Sequence, residues 1–404
     1  MQAIKEFSDH FIPKSGAVPF FSSILVWGIG AGCFTAVLNN YLAEVRGVDE
    51  FQRGLLEFFR EMPGLLLVFI LALMHKKAEW KILRIGTLIS LAGVAGLLLS
   101  ADKAVITLLI MIWSTGEHIL MPVRNTIAMH VAKAGRIGES LGVVTGAMNA
   151  GNVIGSATVA AIFFAGIGWF GIADKVVLYN IVWVLICLLL FVSFLCTLFC
   201  KVDVKDVKRP RLYYNRKYGK FYVLELFYGA RKQIFITFAP YVLILNYGMD
   251  TTTMALLVGV CALVNIFCAP LIGKLTDRIG YRNIMIFDTV ILFFVCITYG
   301  YANRMFTYSV AYAVVCVNFL LDAVISTTAM ATSMYVRDIS DSAEEVTATL
   351  TTGISINHLI SILAALAGGW VWQKFGVGVL FSFSAVMALA NSAFAMLIPR
   401  KQET

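Results

Sequence analysis

The chain has 404 residues, of which 59% are hydrophobic and only 14% charged. Soluble domains carry about 25% charged residues, so this composition excludes an ordinary soluble protein. The formal charge of +8 sits between apolar runs, where it faces anionic lipid, and gives no reason to expect a nucleic-acid partner.

The N-terminus, 1–16, carries charges and no separate apolar h-region, so no cleaved signal peptide is expected. A membrane-spanning helix needs about 20 apolar residues. Runs of that order follow at 18–45, 52–74, 82–101, 104–131, 140–166 and 175–200. A polar stretch intervenes, and six more runs follow at 220–247, 252–273, 283–301, 305–336, 344–368 and 376–398. The expected fold is an all-α polytopic membrane protein with twelve transmembrane helices in two six-helix bundles. Its parts are an N-terminal half, 1–200, a basic linker, 201–220, and a C-terminal half, 221–404. The linker carries Lys205, Lys208, Arg209, Arg211, Arg216 and Lys217, which suits an amphipathic segment on lipid headgroups. Pro63, Pro122, Pro240 and Pro270 fall inside spans 2, 4, 7 and 8 and are expected kinks.

Basic residues fix the orientation. With both termini cytoplasmic, about 22 Lys and Arg fall in inner loops and tails, about 6 in outer loops and about 4 inside helices. That asymmetry places the protein in a cytoplasmic (inner) membrane with both ends inside. The expected partners are the bilayer, a small-molecule substrate and a coupling ion, with the chain acting as a monomer.

Ionisable groups deep in apolar spans are the candidates for chemistry. Each costs about 2.5–3.5 kcal/mol at the bilayer centre, so each needs a partner or a wet cavity. Span 2 holds Glu57, Arg60 and Glu61 on one face, where Arg60 can pair with Glu57. Span 4 holds Glu117, His118 and Arg124. Span 7 holds Glu225, near its start, and the adjacent pair Arg231 and Lys232, which project about 100° apart. One of these two is expected to pair with Asp322 of span 10 or Glu117, while the other faces substrate. Span 11 holds Asn357 and His358. His118 and His358 are candidate proton carriers because an ordinary imidazole titrates at about 6.5, beside Glu117 and Asp322. Arg231, Lys232, Glu117, Asn149 and Asn152 are the candidate substrate contacts. Glu57, Arg60, Glu61, Arg124 and Glu225 are candidate structural ion pairs. Spans 3, 6 and 12 carry no comparable mid-membrane charge. Span 5 has Gly142, Gly146, Gly151 and Gly155 with its two asparagines, which favours close helix packing.

Enzyme and pump signatures are missing. No G-x-x-x-x-G-K-[ST], HExxH or GxSxG occurs, so neither an ATP-driven pump nor a hydrolase is indicated. Gly28-Ile29-Gly30-Ala31-Gly32 lies inside a membrane helix and follows no strand, so it is not a nucleotide fingerprint. The eight cysteines fall in apolar segments without CxxC pairs near histidine, so no metal or cofactor is expected.

The stretch Gly273-Lys274-Leu275-Thr276-Asp277-Arg278-Ile279-Gly280-Tyr281-Arg282-Asn283 is a short basic turn between two spans. It resembles the signature loop of the major facilitator superfamily, found between helices 2 and 3 and again between helices 8 and 9. Met74-His75-Lys76-Lys77-Ala78-Glu79-Trp80-Lys81 holds the corresponding place in the first half but has lost the Asp, Arg and Gly. Ala128-Met129-His130-Val131 leading to Glu139 is echoed by Ser333-Met334-Tyr335-Val336 leading to Glu344. Such internal repeats mark secondary transporters, with substrate bound between repeats near the midplane. The resemblance implies alternating access, with helices 1, 4, 7 and 10 lining a cavity and 3, 6, 9 and 12 facing lipid. It also implies a gating role for Asp277, Arg278, Arg282, Gly273 and Gly280, with Asp277 directed at the N-terminus of helix 11. Two departures weaken a likeness to drug antiporters: span 5 lacks the family's Gly-Pro pair, and Arg124 is followed by Asn125-Thr126-Ile127 where the family has Arg-x-x-Gln-Gly. The expected activity is proton-coupled transport of a small polar, anionic organic solute. The alternatives are proton-driven efflux of amphipathic drugs or lipids, and a membrane sensor or scaffold that moves nothing.

Overall fold

A computed structural model of the chain describes residues 11–12, 16–74, 76–133, 136–200 and 214–399. Most of the basic linker, 201–213, lies outside the described residues, as does the Glu344 side chain. The described residues are helical almost throughout, and their one β pairing is an isolated bridge between Phe11 and Ala132.

The helices follow the order of the apolar runs. They are α1 (Ala17–Asn40), α2 (Glu50–Leu65), α3 (Leu67–Leu73), α4 (Glu79–Leu97), α5 (Lys103–Val131), α6 (Ile137–Gly168) and α7 (Lys175–Thr197). After the linker come α8 (Gly219–Tyr247), α9 (Thr251–Ile279), α10 (Tyr281–Met305), α11 (Tyr308–Ser326), α12 (Met330–Ile339), α13 (Ala343–Phe375) and α14 (Val377–Ala395). With α2 and α3 counted as one span, and α11 and α12 as another, these make the twelve expected crossings. Ten are long and apolar enough to cross a membrane by composition alone. The other two, α2 with α3 and α8, are those that carry Glu57, Arg60 and Glu61, and Glu225, Arg231 and Lys232.

Breaks in the helices have local causes. Pro63 cannot donate to the carbonyl four residues back and crowds it; α2 ends just beyond, and Leu66 is non-helical before α3 resumes. Pro122, Pro240 and Pro270 sit inside helices that continue past them. A π turn, Tyr41–Val45, extends α1, and a 3-10 turn, Thr327–Ala329, separates α11 from α12. Neither was expected from the apolar pattern.

Two compact units result. The first comprises residues 1–46, 66–209 and 250–263, and the second 47–65, 210–249 and 264–404. They differ from the halves read from the linker, because α2 belongs to the second unit and the start of α9 to the first. Small residues explain the placement of α2. Its Gly54 lies so close to α13 that a Cβ there would stand 2.4 Å from the Ala365 carbonyl, and one on Gly369 would stand 2.8 Å from the Glu50 carbonyl. At the start of α9, the Thr251 hydroxyl shares a 2.7 Å hydrogen bond with Tyr179 of α7.

Within the first unit, α1 and α6 meet along a seam of small residues. A Cβ on Gly155 would stand 2.3 Å from the Ile29 carbonyl, and one on Gly32 would stand 2.7 Å from the Asn152 Cα. The close packing expected of span 5 is therefore present at Gly151 and Gly155, whereas Gly142 and Gly146 face open space. Gly155→Val is expected to push the helices apart and destabilise the protein by about 1–3 kcal/mol. Thermal unfolding in detergent reads this directly, and an unshifted Tm would contradict the packing argument.

Each unit also fastens the end of its last helix with cations from a neighbour. In the first, Arg84 of α4 donates to the carbonyls of Thr197 at 3.0 Å and Leu198 at 3.2 Å, at the end of α7. In the second, Arg282 of α10 donates to Met396 at 2.7 Å and Lys220 of α8 to Leu397 at 2.6 Å, at the end of α14. Unsatisfied carbonyls at a helix C-terminus carry partial negative charge, so cations are favoured there.

Candidate functional site

Arg231 is among the largest fully buried side chains of the described residues, at 1% exposure. It stands about 18 Å along α8 from that helix's start, and two carboxylates flank it. Asp288 of α10 approaches its guanidinium at 4.0 Å and Asp322 of α11 does so at 4.0 Å. Its guanidinium also lies 4.8 Å from the Tyr228 ring centroid. Such separations are ion pairs and not hydrogen bonds. Accordingly Arg231 Nε, Asp288 Oδ1 and Asp322 Oδ1 have no hydrogen-bond partner among the described residues. Asp288 takes one further donor, the hydroxyl of Thr328, which the 3-10 turn after α11 brings into reach.

The pairing of Arg231 with Asp322 was one of the two expected from the sequence. Asp288 was missed. It lies on the ninth span, so the expectation that buried charge avoids the outer set of helices is corrected by it. The signal was present as a lone carboxylate about two turns into an apolar run.

A second network surrounds Glu57, whose side chain is fully buried. Its two oxygens accept four hydrogen bonds: from Arg53 at 2.7 Å, from Arg60 at 2.9 and 2.6 Å, and from Gln233 of α8 at 2.9 Å. An ionised carboxylate has about four acceptor sites, so Glu57 is saturated. Arg60 also reaches Glu61 at 2.7 Å, and Glu61 accepts from His358 Nδ1 of α13 at 3.0 Å. The expected pairing of Arg60 with Glu57 is thus part of a chain that includes Arg53 and Gln233, neither singled out by sequence.

Glu225 does not reach toward the helix end. It accepts hydrogen bonds of 3.3 Å from Thr332 and from Asn357, with Lys232 as its electrostatic neighbour. The expectation of a structural ion pair is therefore corrected: neutral donors from α12 and α13 hold it, and Lys232 acts at longer range.

In the first unit, Glu117 and Arg124 interact electrostatically along α5. Arg124 borders a crevice shared with Ser23, Trp27, Thr87 and Ser193. His118 is buried, and its Nδ1 lies 2.8 Å from the Ser114 carbonyl and 3.1 Å from the Ser114 hydroxyl. A carbonyl only accepts, so Nδ1 carries the proton. Asn149 and Asn152 are half-buried, and the backbone of Asn152 forms part of the seam with α1.

The basic turn is a helix break at Gly280, whose φ of 82° is a conformation L side chains rarely adopt. Gly273 lies in α9, with Met330 nearby. Asp277 and Arg278 are exposed, and neither forms an ion pair with another described residue. The N-terminus of α13 is capped by its own Ser342, whose hydroxyl accepts from the Glu345 amide at 3.1 Å, and Glu345 returns a bond to the Asp341 amide. Arg282 serves the end of α14, as described above.

A cavity of about 250 Å³ in the second unit lies elsewhere, beside Asn246, Tyr299, Arg304 and Gly376. It includes none of the buried carboxylates.

Comparison with known proteins follows the same lines. The sequence profile of the Major Facilitator Superfamily matches residues 20–336 and again 221–404. Among solved structures, the chain is similar to a mutant of the nucleoside transporter NupG, at 13% identity and a TM-score of 0.76 over 95% of this chain and 99% of that one. It is similar to a D-xylose-proton symporter at 13% identity and a TM-score of 0.72, over 96% and 98% of the two chains. It also resembles a POT family transporter in complex with a thioalcohol-conjugated peptide, at 11% identity and a TM-score of 0.73 over 96% and 98%. At such identities the likeness is one of fold. A sequence search for curated relatives finds no match.

Proposed function

The chain belongs to the Major Facilitator Superfamily and is an integral multi-pass transporter, and from that premise we propose that it couples movement of a small polar organic solute to protons. The supporting observation is Arg231, buried between Asp288 and Asp322. A buried cation shared by two carboxylates can change partners when one of them takes up a proton, and this links proton binding to helix position.

Lys232 supports the class of solute. Because Arg231 already faces two carboxylates, Lys232 is the better candidate for an anionic group on the solute, with Glu117, Asn149 and Asn152 as further contacts. A neutral polar solute is the second reading, favoured because the charge of Arg231 is already compensated by the two aspartates. Glu117, His118, Asp322 and His358 are proposed proton carriers. Asp277 and Arg278 are proposed to form a cytoplasmic latch as other conformations are visited. The basic turn and the linker's Lys and Arg residues support an orientation with both termini cytoplasmic, in an inner membrane.

A thermal-shift screen of the purified protein tests the solute class, since a ligand that binds only the folded state raises Tm by mass action. Stabilisation by small carboxylates, lost in Lys232→Ala, supports the anionic solute. Stabilisation by neutral sugars or nucleosides supports the second reading. Stabilisation by lipophilic cations alone overturns both in favour of efflux. A solute identified in this way should accumulate in proteoliposomes under an imposed pH gradient, and accumulation indifferent to that gradient would refute proton coupling.

A further inference from the structure

We infer that Asp288 and Asp322 form, with Arg231, a single site that holds one exchangeable proton, so that Asp288 on α10 is a coupling residue equal in rank to Asp322. The inference rests on the proposed proton coupling and adds to it a residue, a stoichiometry and a shared mode of binding.

Charge is the first argument. Arg231 offers one positive charge and the two aspartates offer two negative charges, so the fully ionised cluster carries one uncompensated charge inside the apolar body of the second unit. An uncompensated charge there is costly, whereas one bound proton makes the cluster neutral. Geometry is the second. The two carboxylates approach different guanidinium nitrogens, Nη2 for Asp288 and Nη1 for Asp322, each at 4.0 Å. Neither is locked to Arg231 by a hydrogen bond. Each keeps its Oδ1 without a hydrogen bond among the described residues, as does Arg231 at Nε. Three unpartnered polar atoms on one cluster are the mark of a site whose partner changes.

Among the described residues, Arg231 is the one cation that the geometry brings to both aspartates, at 4.0 Å each. From α8 come Tyr228, under the guanidinium, and Glu225 nearby in the same electrostatic environment. From α10 comes Cys296, within electrostatic reach of Asp322 and Arg231. The turn after α11 contributes the Thr328 hydroxyl to Asp288, and α14 contributes Ser384 near Cys296. Among the described residues, Arg231 is the cation that acts on both aspartates. Among them, too, the Thr328 hydroxyl serves Asp288 and not Asp322. When the cluster carries its proton, the two carboxylates share it, with the Thr328 hydroxyl as a further partner of Asp288. Passing the proton out then lets Arg231 centre between the two.

The test is proton uptake by the purified full-length protein between about pH 5 and about pH 8, for wild type, Asp288→Asn and Asp322→Asn. Two carboxylates sharing a proton titrate as a pair. Removing either one leaves Arg231 and its remaining partner neutral without any proton. Each single variant is therefore expected to lose about one proton of uptake relative to wild type. If Asp288→Asn titrates as wild type does, Asp288 is not part of the site and the inference fails. If sodium added at fixed pH displaces the proton from wild type but from neither variant, the site still exists but its ion is sodium, which overturns the proton assignment. Folding of each variant is checked by Tm, and Asp288→Glu is expected to restore the uptake where Asp288→Asn loses it. Gradient-driven accumulation in proteoliposomes separates the two claims. Normal titration without gradient dependence sinks the proposed coupling alone. Gradient dependence that survives in Asp288→Asn sinks this inference alone.

Discussion

Arg231→Ala is expected to abolish transport and to destabilise the protein by about 3–5 kcal/mol, the range found when one partner of a buried ion pair is removed. Two features put it among the most damaging single changes available here. Arg231 is 1% exposed, so water cannot take its place easily. Its loss also leaves two aspartates on α10 and α11 facing one another without a cation. Arg231→Lys should recover part of the stability, because charge is restored, but little of the transport. A lysine presents one point charge where the guanidinium presents separate nitrogens to separate carboxylates. Denaturation in detergent reads the first effect and flux in proteoliposomes the second. Wild-type values of both in Arg231→Ala would remove the basis of the functional proposal.

Glu57→Ala is the second large effect. Its carboxylate takes four hydrogen bonds, three of them from two arginines, and Arg53 is itself buried, at 2% exposure. Removing the carboxylate leaves Arg53 and Arg60 with Glu61 as their acidic neighbour, and the expected cost is again about 3–5 kcal/mol. A double-mutant cycle separates this from a packing defect. If the cost comes from stranded charge, Glu57→Gln combined with Arg53→Met should be less damaging than the sum of the two single changes. Additive losses would show that the Glu57 charge does not act through Arg53.

These two networks show what a single sequence reveals about such a site and where it stops. The twelve spans are legible because each needs its own apolar length. The contact of Arg60 with Glu57 is legible because helical spacing alone dictates it. Arg231 and Asp322 were legible as charges that lipid would not tolerate alone. Asp288 escaped notice because its run is otherwise apolar and its partners come from α8 and from the turn after α11. That turn, Thr327–Ala329, leaves no mark in the hydropathy pattern. Gln233 escaped because it is neutral, although it joins α8 to α2 through Glu57. The assignment of α2 to the second unit depends on Gly54 meeting Gly369, two glycines more than three hundred residues apart in the chain. No local pattern encodes such a meeting.

The paired fastenings at the ends of α7 and α14 bear on how the chain arose. Both units solve the same problem, exposed carbonyls at the end of a final helix, with an arginine from the third helix of each set of six. The signature residues Asp277, Arg278 and Gly280 survive only in the second copy of the basic turn. In the first copy they are gone, yet Arg84 still clasps Thr197 and Leu198. It does so from about one helical turn beyond Lys81, the residue that occupies the place of Arg282 in the second copy. Duplication followed by drift explains this pattern: one copy was free to lose the motif while the mechanical duty passed to a neighbouring position. Anchoring a helix and carrying the signature are thus separable inheritances, and an ancestral half would have needed only the first of them to fold.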